Sequence, residues 1–131
     1  MRFKSVFVVD DDKIVHFIVK KLLSANFPNL NTSFFENGHD ALVDFKDKLN
    51  DSESIPDLIL LDLNMPVLDG WQFLEEFKLL KDTLTKKVTI YIISSSDNAV
   101  DHMRAVDFKE EISDYFLKPI TLDCIKSIFE I

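Results

Sequence analysis

Short runs of apolar residues alternate along this chain with longer segments in which apolar residues recur at helical spacing. The short runs are too brief for helices and predict β-strands, while the periodic segments predict amphipathic helices. Strands are predicted at 6–9, 32–35, 58–61, 88–93 and 115–117. Helices are predicted from 13 to about 25, around 41–45, from 69 to about 80, from 99 to about 108 and at 122–129. This alternation predicts an α/β fold with a parallel sheet covered on both faces.

The first predicted helix has an apolar face. Ile14, Phe17, Ile18 and Leu22 recur at helical spacing, so residues 13 to about 25 are predicted to form an amphipathic helix. Asp12 stands just before the helix and is a suitable N-cap, because its carboxylate can accept hydrogen bonds from the first backbone N–H groups.

Length and charge limit the classes of protein to which this chain can belong. Its 131 residues suit one domain, spanning 1–131. The formal net charge is −8 and no basic patch is present, so a nucleic-acid polyanion is a poor candidate ligand. No apolar run approaches the ~20 residues that span a membrane, and no secretory signal opens the chain. We therefore expect a cytoplasmic protein that binds neither nucleic acid nor membrane.

Polar residues stand where several predicted strands end. In an open parallel sheet, ligands bind beyond the carboxyl ends of the strands, so we expect these residues to converge at one edge. Each has an ordinary explanation when taken alone, such as a helix cap, a loop carboxylate or a turn. Their occurrence in order, each at a strand end, favours a shared site. The residues are Asp10, Asp11, Asp62, Ser94 and, just after the fifth strand, Lys118 and Pro119.

The chemistry of these residues suits a phosphoryl group and a divalent cation. Carboxylates brought close together repel one another unless a cation is present, and oxygen ligands of this kind suit Mg²⁺. A lysine supplies a point charge for phosphate, and a serine hydroxyl can donate to a phosphoryl oxygen. An aspartate can itself act as nucleophile and form an aspartyl phosphate. Asp62, held at the end of a buried strand, is the predicted acceptor.

Three motifs resemble those of a response-regulator receiver domain of the chemotaxis single-domain type. They are VVDD at 8–11, LLDLNMPVLDG at 60–70 and YFLKP at 115–119, and the similarity covers nearly the whole chain. The middle motif is the most specific of the three. The resemblance implies a flavodoxin-like, doubly wound (βα)5 fold whose five-stranded parallel sheet has the order 2-1-3-4-5.

The resemblance also implies roles for residues at the predicted site. Asp62 would be the phosphoacceptor, and Lys118 would contact the phosphoryl group. Asp11 would bind Mg²⁺ directly, Asp10 would hold it largely through water, and Asn64 would supply a backbone carbonyl to the metal. These assignments follow from the positions of the residues within the motifs.

A second set of implied roles concerns the response to phosphorylation. Ser94 matches the switch hydroxyl, with Ser95 as the alternative, and Tyr115 matches the aromatic switch. Pro119 matches a proline whose preceding peptide bond is often cis. The chain departs from the family pattern before the fifth strand, where residues 108–112 replace the usual Gly-Ala and the segment is longer.

The implied function is that of a stand-alone receiver. A sensor histidine kinase or histidine phosphotransfer protein would donate the phosphoryl group to Asp62, and later autodephosphorylation would reset the protein. Phosphorylation would shift an existing equilibrium on the face formed by helix 4, strand 5 and helix 5. That face would bind an unknown downstream protein, or Asp62 would pass the phosphoryl group onward in a relay.

Two alternative functions use the same fold. An aspartyl-nucleophile phosphatase usually has a second aspartate two residues after the first, and Asn64 occupies that position here. A protein-interaction module that is never phosphorylated would not need the intact set of Asp10, Asp11, Asp62 and Lys118. The histidines at 16, 39 and 102 lie on separate predicted helices and are expected to be surface or partly packed residues.

Overall fold

Strands and helices alternate through the chain in the computed structural model, which describes residues 3–51, 53–95 and 99–129. The strands are β1 (Ser5–Val9), β2 (Asn31–Phe35), β3 (Leu58–Leu61), β4 (Thr89–Ser94) and β5 (Ile112–Leu117). The helices are α1 (Lys13–Asn26), α2 (Gly38–Asp47), α3 (Gly70–Leu80), α4 (Ala99–Val106) and α5 (Leu122–Phe129), with a 3-10 turn at Lys81–Thr83. All paired strands are parallel and their order is β2-β1-β3-β4-β5, which confirms the predicted fold.

The sheet separates two apolar cores because successive side chains of a strand point to opposite faces. On β3, Ile59 and Leu61 pack with α2 and α3, whereas Leu58 and Leu60 pack with α1 and α5. All four of these residues are buried. A strand that is apolar at every position therefore lies between two helical layers, as predicted.

The amphipathic helix predicted from residue 13 to about 25 is confirmed as α1, but its fully buried residues differ from the four whose spacing predicted it. The helix buries Val15, Val19 and Leu23, while Ile14 and Phe17 keep 68% and 60% of their surface exposed. Apolar residues occur on more than one side of this helix, so spacing alone allows two choices of buried face. Packing against the sheet and α5 selects the Val15 face and leaves an apolar surface on the outside.

Strand β5 begins earlier than predicted, at Ile112 instead of 115. Its register with β4 shifts between Ile90, which pairs with Ile112, and Tyr91, which pairs with Asp114, so Ser113 is an extra residue in β5. The buried Glu111 side chain forms an ion pair with Lys81 just before the strand. One residue of the lengthened segment is thus accommodated as a bulge in β5. The ion pair between Glu111 and Lys81 holds the chain in place just before this strand.

Polar side chains cap the helices that begin at the carboxyl edge of the sheet. The Asp12 carboxylate accepts a hydrogen bond from the Ile14 N–H at 2.9 Å, as predicted. Asp69 is the N-cap residue immediately before α3. Its carboxylate accepts a hydrogen bond from the Gln72 N–H, and its own N–H donates to the side-chain oxygen of Gln72, both at 2.9 Å. These caps satisfy N–H groups that have no partner within their own helices.

Candidate functional site

Two adjacent strands place Asp10 and Asp62 side by side. The N–H of Asp10 donates to the carbonyl oxygen of Phe35 at 3.0 Å, and the N–H of Asp62 donates to that of Val9 at 2.9 Å. Each aspartate therefore continues the strand pairing by one residue beyond the apolar run. Their exposed fractions are 2% and 4%, so both carboxylates are held in a largely water-excluded position.

Lys118 brings a positive charge to the two buried carboxylates. Its Nζ lies 2.9 Å from Asp10 Oδ2 and 3.6 Å from Asp62 Oδ1. The backbone N–H of Lys118 donates to the carbonyl oxygen of Ser94 at 2.8 Å, which fixes the end of β5 against the end of β4. The peptide bond between Lys118 and Pro119 is cis. The carboxyl ends of three strands thus contribute to one ion-pair cluster.

The acidic cluster is suited to a divalent cation. Asp10, Asp11 and Asp62 each offer a carboxylate oxygen, and these oxygens lie within 4.8 Å of one another. Asp11 is exposed, so the cluster opens to solvent on that side. With all groups ionised, three carboxylates and one ammonium group leave two negative charges uncompensated. Hard carboxylate ligands with room for water are the set that Mg²⁺ binds in proteins, and these residues fit that ion.

The environment of the cluster raises the pKa values of both Asp62 and Lys118. Burial and then the charge of Asp10 raise the pKa of Asp62 to about 7, while Lys118 and a hydrogen bond from the Asn64 backbone act in the opposite direction. Burial lowers the pKa of Lys118, but its hydrogen bond to Asp10 and the attraction of both carboxylates outweigh burial and raise it. Lys118 therefore stays charged at neutral pH, and Asp62 needs further positive charge nearby to remain fully ionised.

Both glycines of the chain allow helices to approach the loop that follows Asp62. A Cβ at Gly70 would lie 2.5 Å from the carbonyl oxygen of Asp62, and one at Gly38 would lie 2.7 Å from that of Leu68. The N–H groups of Gly70 and Gly38 also donate to the carbonyl oxygens of Leu63 and Leu68 at 3.0 and 3.1 Å. The first residues of α2 and α3 thus hold this loop through its backbone. The Gly38 contact was not predicted, although Asn37-Gly38 is a recognisable turn signal.

Val67 adopts a left-handed conformation in the same loop, with φ at 69°. The N–H of Leu68 donates to the carbonyl oxygen of Pro66 at 2.7 Å, so residues 66–68 form a γ-turn centred on Val67. A β-branched residue is strained at positive φ, and a γ-turn of this hand is uncommon. Sequence reasoning missed this feature, since valine is not a residue that signals a left-handed turn.

The remaining predicted residues lie around the cluster. Ser94 is the fully buried last residue of β4, while Ser95 is exposed. Asn64 is exposed beside Asp62. Tyr115 is half-buried on β5, and its ring lies against His102 of α4 with centroids 4.7 Å apart. The His102 contact was not predicted, because it joins two elements whose distance cannot be read from local pattern.

This chain belongs to the response-regulator receiver domain family. The family model described as "Response regulator receiver domain" matches residues 6–130. The chain is 28% identical to the DNA-binding transcriptional regulator NtrC of Salmonella typhimurium over 118 residues, which cover 90% of this chain and 22% of NtrC. Receiver domains of two-component systems are therefore the class defined by the fold and the site, and the predicted family is confirmed.

Two solved structures extend the similarity to the fold of nearly the whole chain. The phosphorylated cyanobacterial phytochrome response regulator RcpA is 27% identical with a TM-score of 0.77, over 95% of this chain and 87% of that one. The Mn²⁺-bound form of response regulator Rcp1 is 26% identical with a TM-score of 0.75, over 95% and 88%.

The chain spans only 14% to 25% of the length of several curated relatives, including NtrC and the transcriptional regulatory protein ZraR. The similarity therefore concerns the receiver portion of those proteins. Among the described residues, no helix has both the length and the apolar character required to cross a bilayer.

Proposed function

We propose that Asp62 accepts a phosphoryl group from a phosphohistidine of a sensor kinase or histidine phosphotransfer protein. The observation that carries this proposal is the placement of Lys118 Nζ within 3.6 Å of Asp62 Oδ1, in a cluster of three convergent carboxylates. A buried aspartate with a cation beside it and an opening to solvent is arranged for attack on an incoming group. The phosphorylated state named for RcpA, a relative with the same fold, supports the same chemistry here.

The proposed transfer breaks the phosphorus–nitrogen bond of the donor phosphohistidine and forms a phosphorus–oxygen bond to Asp62. An Asp62 carboxylate oxygen attacks phosphorus, the bond from phosphorus to the donor's imidazole nitrogen breaks, and that nitrogen keeps the electron pair. In this proposal Lys118 neutralises charge on the phosphoryl oxygens, and Ser94, the last residue of β4, offers its hydroxyl once the group is attached. Hydrolysis of the aspartyl phosphate later releases inorganic phosphate and restores the carboxylate.

Asp10, Asp11, Asp62 and the backbone carbonyl of Asn64 are the groups that would hold Mg²⁺. Bound there, the ion would supply positive charge to the phosphoryl oxygens and help to keep Asp62 ionised. The Mn²⁺-bound form named for Rcp1 supports a divalent metal in this family fold. Asp10 has the additional task of holding Lys118, to which it is hydrogen-bonded at 2.9 Å.

The exposed apolar surface of α1 supports a protein as the phosphoryl donor. Ile14 and Ile18 line a cavity together with Lys118 and Pro119, so this surface borders the reacting lysine. Phe17 continues it, with Lys21 Nζ 5.0 Å from the centre of the phenyl ring. Exposed apolar side chains at the rim of a charged site are typical of an interaction surface. We assign the α1 surface to contact with the donor.

The surface of α4 supports a second protein contact, away from the donor. Val100, Met103 and Val106 are all more than 60% exposed, and their spacing places them along one stripe of the helix. Leu117 of β5 and Leu122 of α5 are also exposed to a substantial degree. We therefore propose the α4–β5–α5 face as the output surface that binds a downstream protein, unless Asp62 passes the phosphoryl group onward in a relay.

Intact mass spectrometry tests this function. The protein is incubated with Mg²⁺ and acetyl phosphate, and we expect the gain of one phosphoryl group. Asp62→Asn should abolish the gain, and chelation of the metal with EDTA should greatly slow it. Asp82→Asn, at an exposed acidic residue outside the cluster, is the matched control and should behave as wild type.

The same samples separate the alternative functions. Repeated release of phosphate from a generic phosphate ester would indicate a phosphatase instead of a receiver. If the folded wild type gains no phosphoryl group from acetyl phosphate or from a phosphohistidine donor, and binds no Mg²⁺, the proposal is wrong. A protein-interaction module with the receiver fold would then be the better description.

A further inference from the structure

A contact between two rings links α4 to β5. The imidazole of His102 and the phenol ring of Tyr115 have centroids 4.7 Å apart and planes inclined by 32°. Tyr115 also packs against the apolar core shared by α2 and α3, whereas His102 is exposed. The imidazole therefore shields part of a half-buried tyrosine ring from solvent. Aromatic pairs at this separation favour a defined mutual geometry.

Tyr115 is also connected to the acidic cluster through the backbone. It pairs with Ile92 on β4, two residues before Ser94, and lies three residues before Lys118 on β5. The 2.8 Å hydrogen bond from the Lys118 N–H to the Ser94 carbonyl oxygen holds these strand ends together. A change at the cluster can therefore reach Tyr115 through two paired strands.

We propose that His102 is a positioning residue that holds the Tyr115 ring against α4 and thereby couples the state of Asp62 to the position of that helix. The inference rests on the proposed function, because it requires Tyr115 to respond to the phosphoryl group. His102 immediately precedes Met103, which is 71% exposed in the α4 stripe. A displacement of the ring pair would consequently move the proposed output surface.

The opposite side of α4 shows why the His102 contact can decide the helix position. The guanidinium of Arg104 lies 4.6 Å from the ring centre of Trp71, the second residue of α3. α4 thus makes ring contacts with both β5 and α3, Ala105 packs against the apolar core, and the described side chains from 100 to 106 are not fully buried. Loss of the His102 ring removes the ring contact with β5. Removal of an aromatic contact of typical strength should change the ratio of the Tyr115 ring conformers by roughly two- to tenfold.

Fluorine NMR of protein labelled with 3-fluorotyrosine tests the inference. The chain has two tyrosines, so Tyr115 reports on the switch and the buried Tyr91 reports on the integrity of the core. Spectra are recorded with Mg²⁺ before and after addition of acetyl phosphate, and intact mass is measured on each sample. The variants are His102→Ala and His102→Phe, with His39→Ala as the control at an exposed histidine on α2.

We expect His102→Ala to change the conformer ratio of Tyr115 by two- to tenfold before phosphorylation and to weaken its response to the phosphoryl group. His102→Phe should restore both, and His39→Ala should leave both unchanged. A Tyr115 signal in His102→Ala that matches wild type in both states would overturn the inference. So would failure of His102→Phe to restore the signal, or an equal shift of the Tyr91 resonance. If the wild type gains no phosphoryl mass, the proposed function itself fails, and the mass spectra identify that case.

Discussion

Helices α3 and α4 follow neighbouring strands that end at the acidic cluster, yet they are attached to the molecule in different ways. α3 buries Trp71, Phe73, Leu74 and Phe77, and its first residue contacts the backbone of Asp62. None of the described side chains of α4 from 100 to 106 is fully buried, and Val100, Met103 and Val106 are more than 60% exposed. The reacting carboxylate is therefore held by a helix that is part of the core, while the neighbouring helix can shift at little cost in buried apolar surface.

Substitution of Leu74, which is fully buried in α3, should have the largest effect on stability. Leu74→Ala removes buried methyl groups and leaves a cavity, so we expect the free energy of unfolding to fall by about 2–5 kcal/mol. Met103→Ala in exposed α4 is the matched control and should change it by less than about 0.5 kcal/mol. Urea denaturation followed by circular dichroism measures both values. Equal losses in the two variants would contradict the contrast between the helices.

Gly70→Ala tests the contact between α3 and Asp62. The added methyl group would lie 2.5 Å from a backbone oxygen, which cannot move aside as a flexible side chain could. We expect the free energy of unfolding to fall by about 1–3 kcal/mol, with slower phosphorylation because Asp62 is displaced. Glu75→Ala, at an exposed position of the same helix, controls for the substitution to alanine. A Gly70→Ala protein with wild-type stability and phosphorylation rate would show that the close approach is unimportant.

Asp62→Asn should stabilise the protein in the absence of metal, and the gain should depend on pH. The pKa of Asp62 is raised from 3.8 to about 7 by burial and by Asp10, so the folded state holds a proton that the unfolded state releases. The contribution of the Asp62 carboxyl to the free energy of unfolding is fully present below pH 3.8. It is lost as the pH rises through about 7. Above that pH the variant should be more stable by an amount on the order of a few kcal/mol.

Thermal unfolding of both proteins in EDTA between pH 5 and pH 8 measures this difference. The advantage of Asp62→Asn should shrink towards pH 5, where the wild-type carboxyl is protonated, and Mg²⁺ should reduce it at pH 8. An advantage that grows as the pH falls would have the wrong sign for a raised pKa. Asp82→Asn serves again as the control outside the cluster.

Val67→Asn should give the smallest effect, because it changes only local backbone strain. Asparagine tolerates the left-handed region better than a β-branched residue does, so we expect a gain of about 1 kcal/mol in the free energy of unfolding. Val43→Asn, at an exposed residue of α2, is the comparison and should not stabilise the protein. Loss of stability in Val67→Asn would show that contacts of the valine side chain outweigh the strain.

The fold and the acidic cluster were predictable because their signals are local. Strands such as 58–61 are short and apolar, and Asp62 follows such a run directly. Parallel strands put Asp10, Asp62 and Lys118 at one edge of the sheet, and the strand order implied by the family resemblance brings them close together. The residues of the acidic cluster were therefore predictable because they stand at or just after the ends of predicted strands.

Features that depend on packing between distant segments could not be predicted in the same way. α1 has apolar residues on two sides, and only the assembled sheet selects the Val15 side for burial. The start of β5 depends on an ion pair between Glu111 and Lys81, which lie far apart in the chain. The ring contact of His102 with Tyr115 requires the position of α4 to be known.

The central claim is that Asp62 is the residue that accepts the phosphoryl group, and mapping that group tests it most directly. Borohydride reduces an aspartyl phosphate to homoserine, which tandem mass spectrometry locates in the peptide sequence. After incubation with Mg²⁺ and acetyl phosphate, we expect homoserine at position 62 and unmodified aspartate at Asp10 and Asp11. Homoserine at either of those positions, or none anywhere in a protein that has gained a phosphoryl group, would contradict the account.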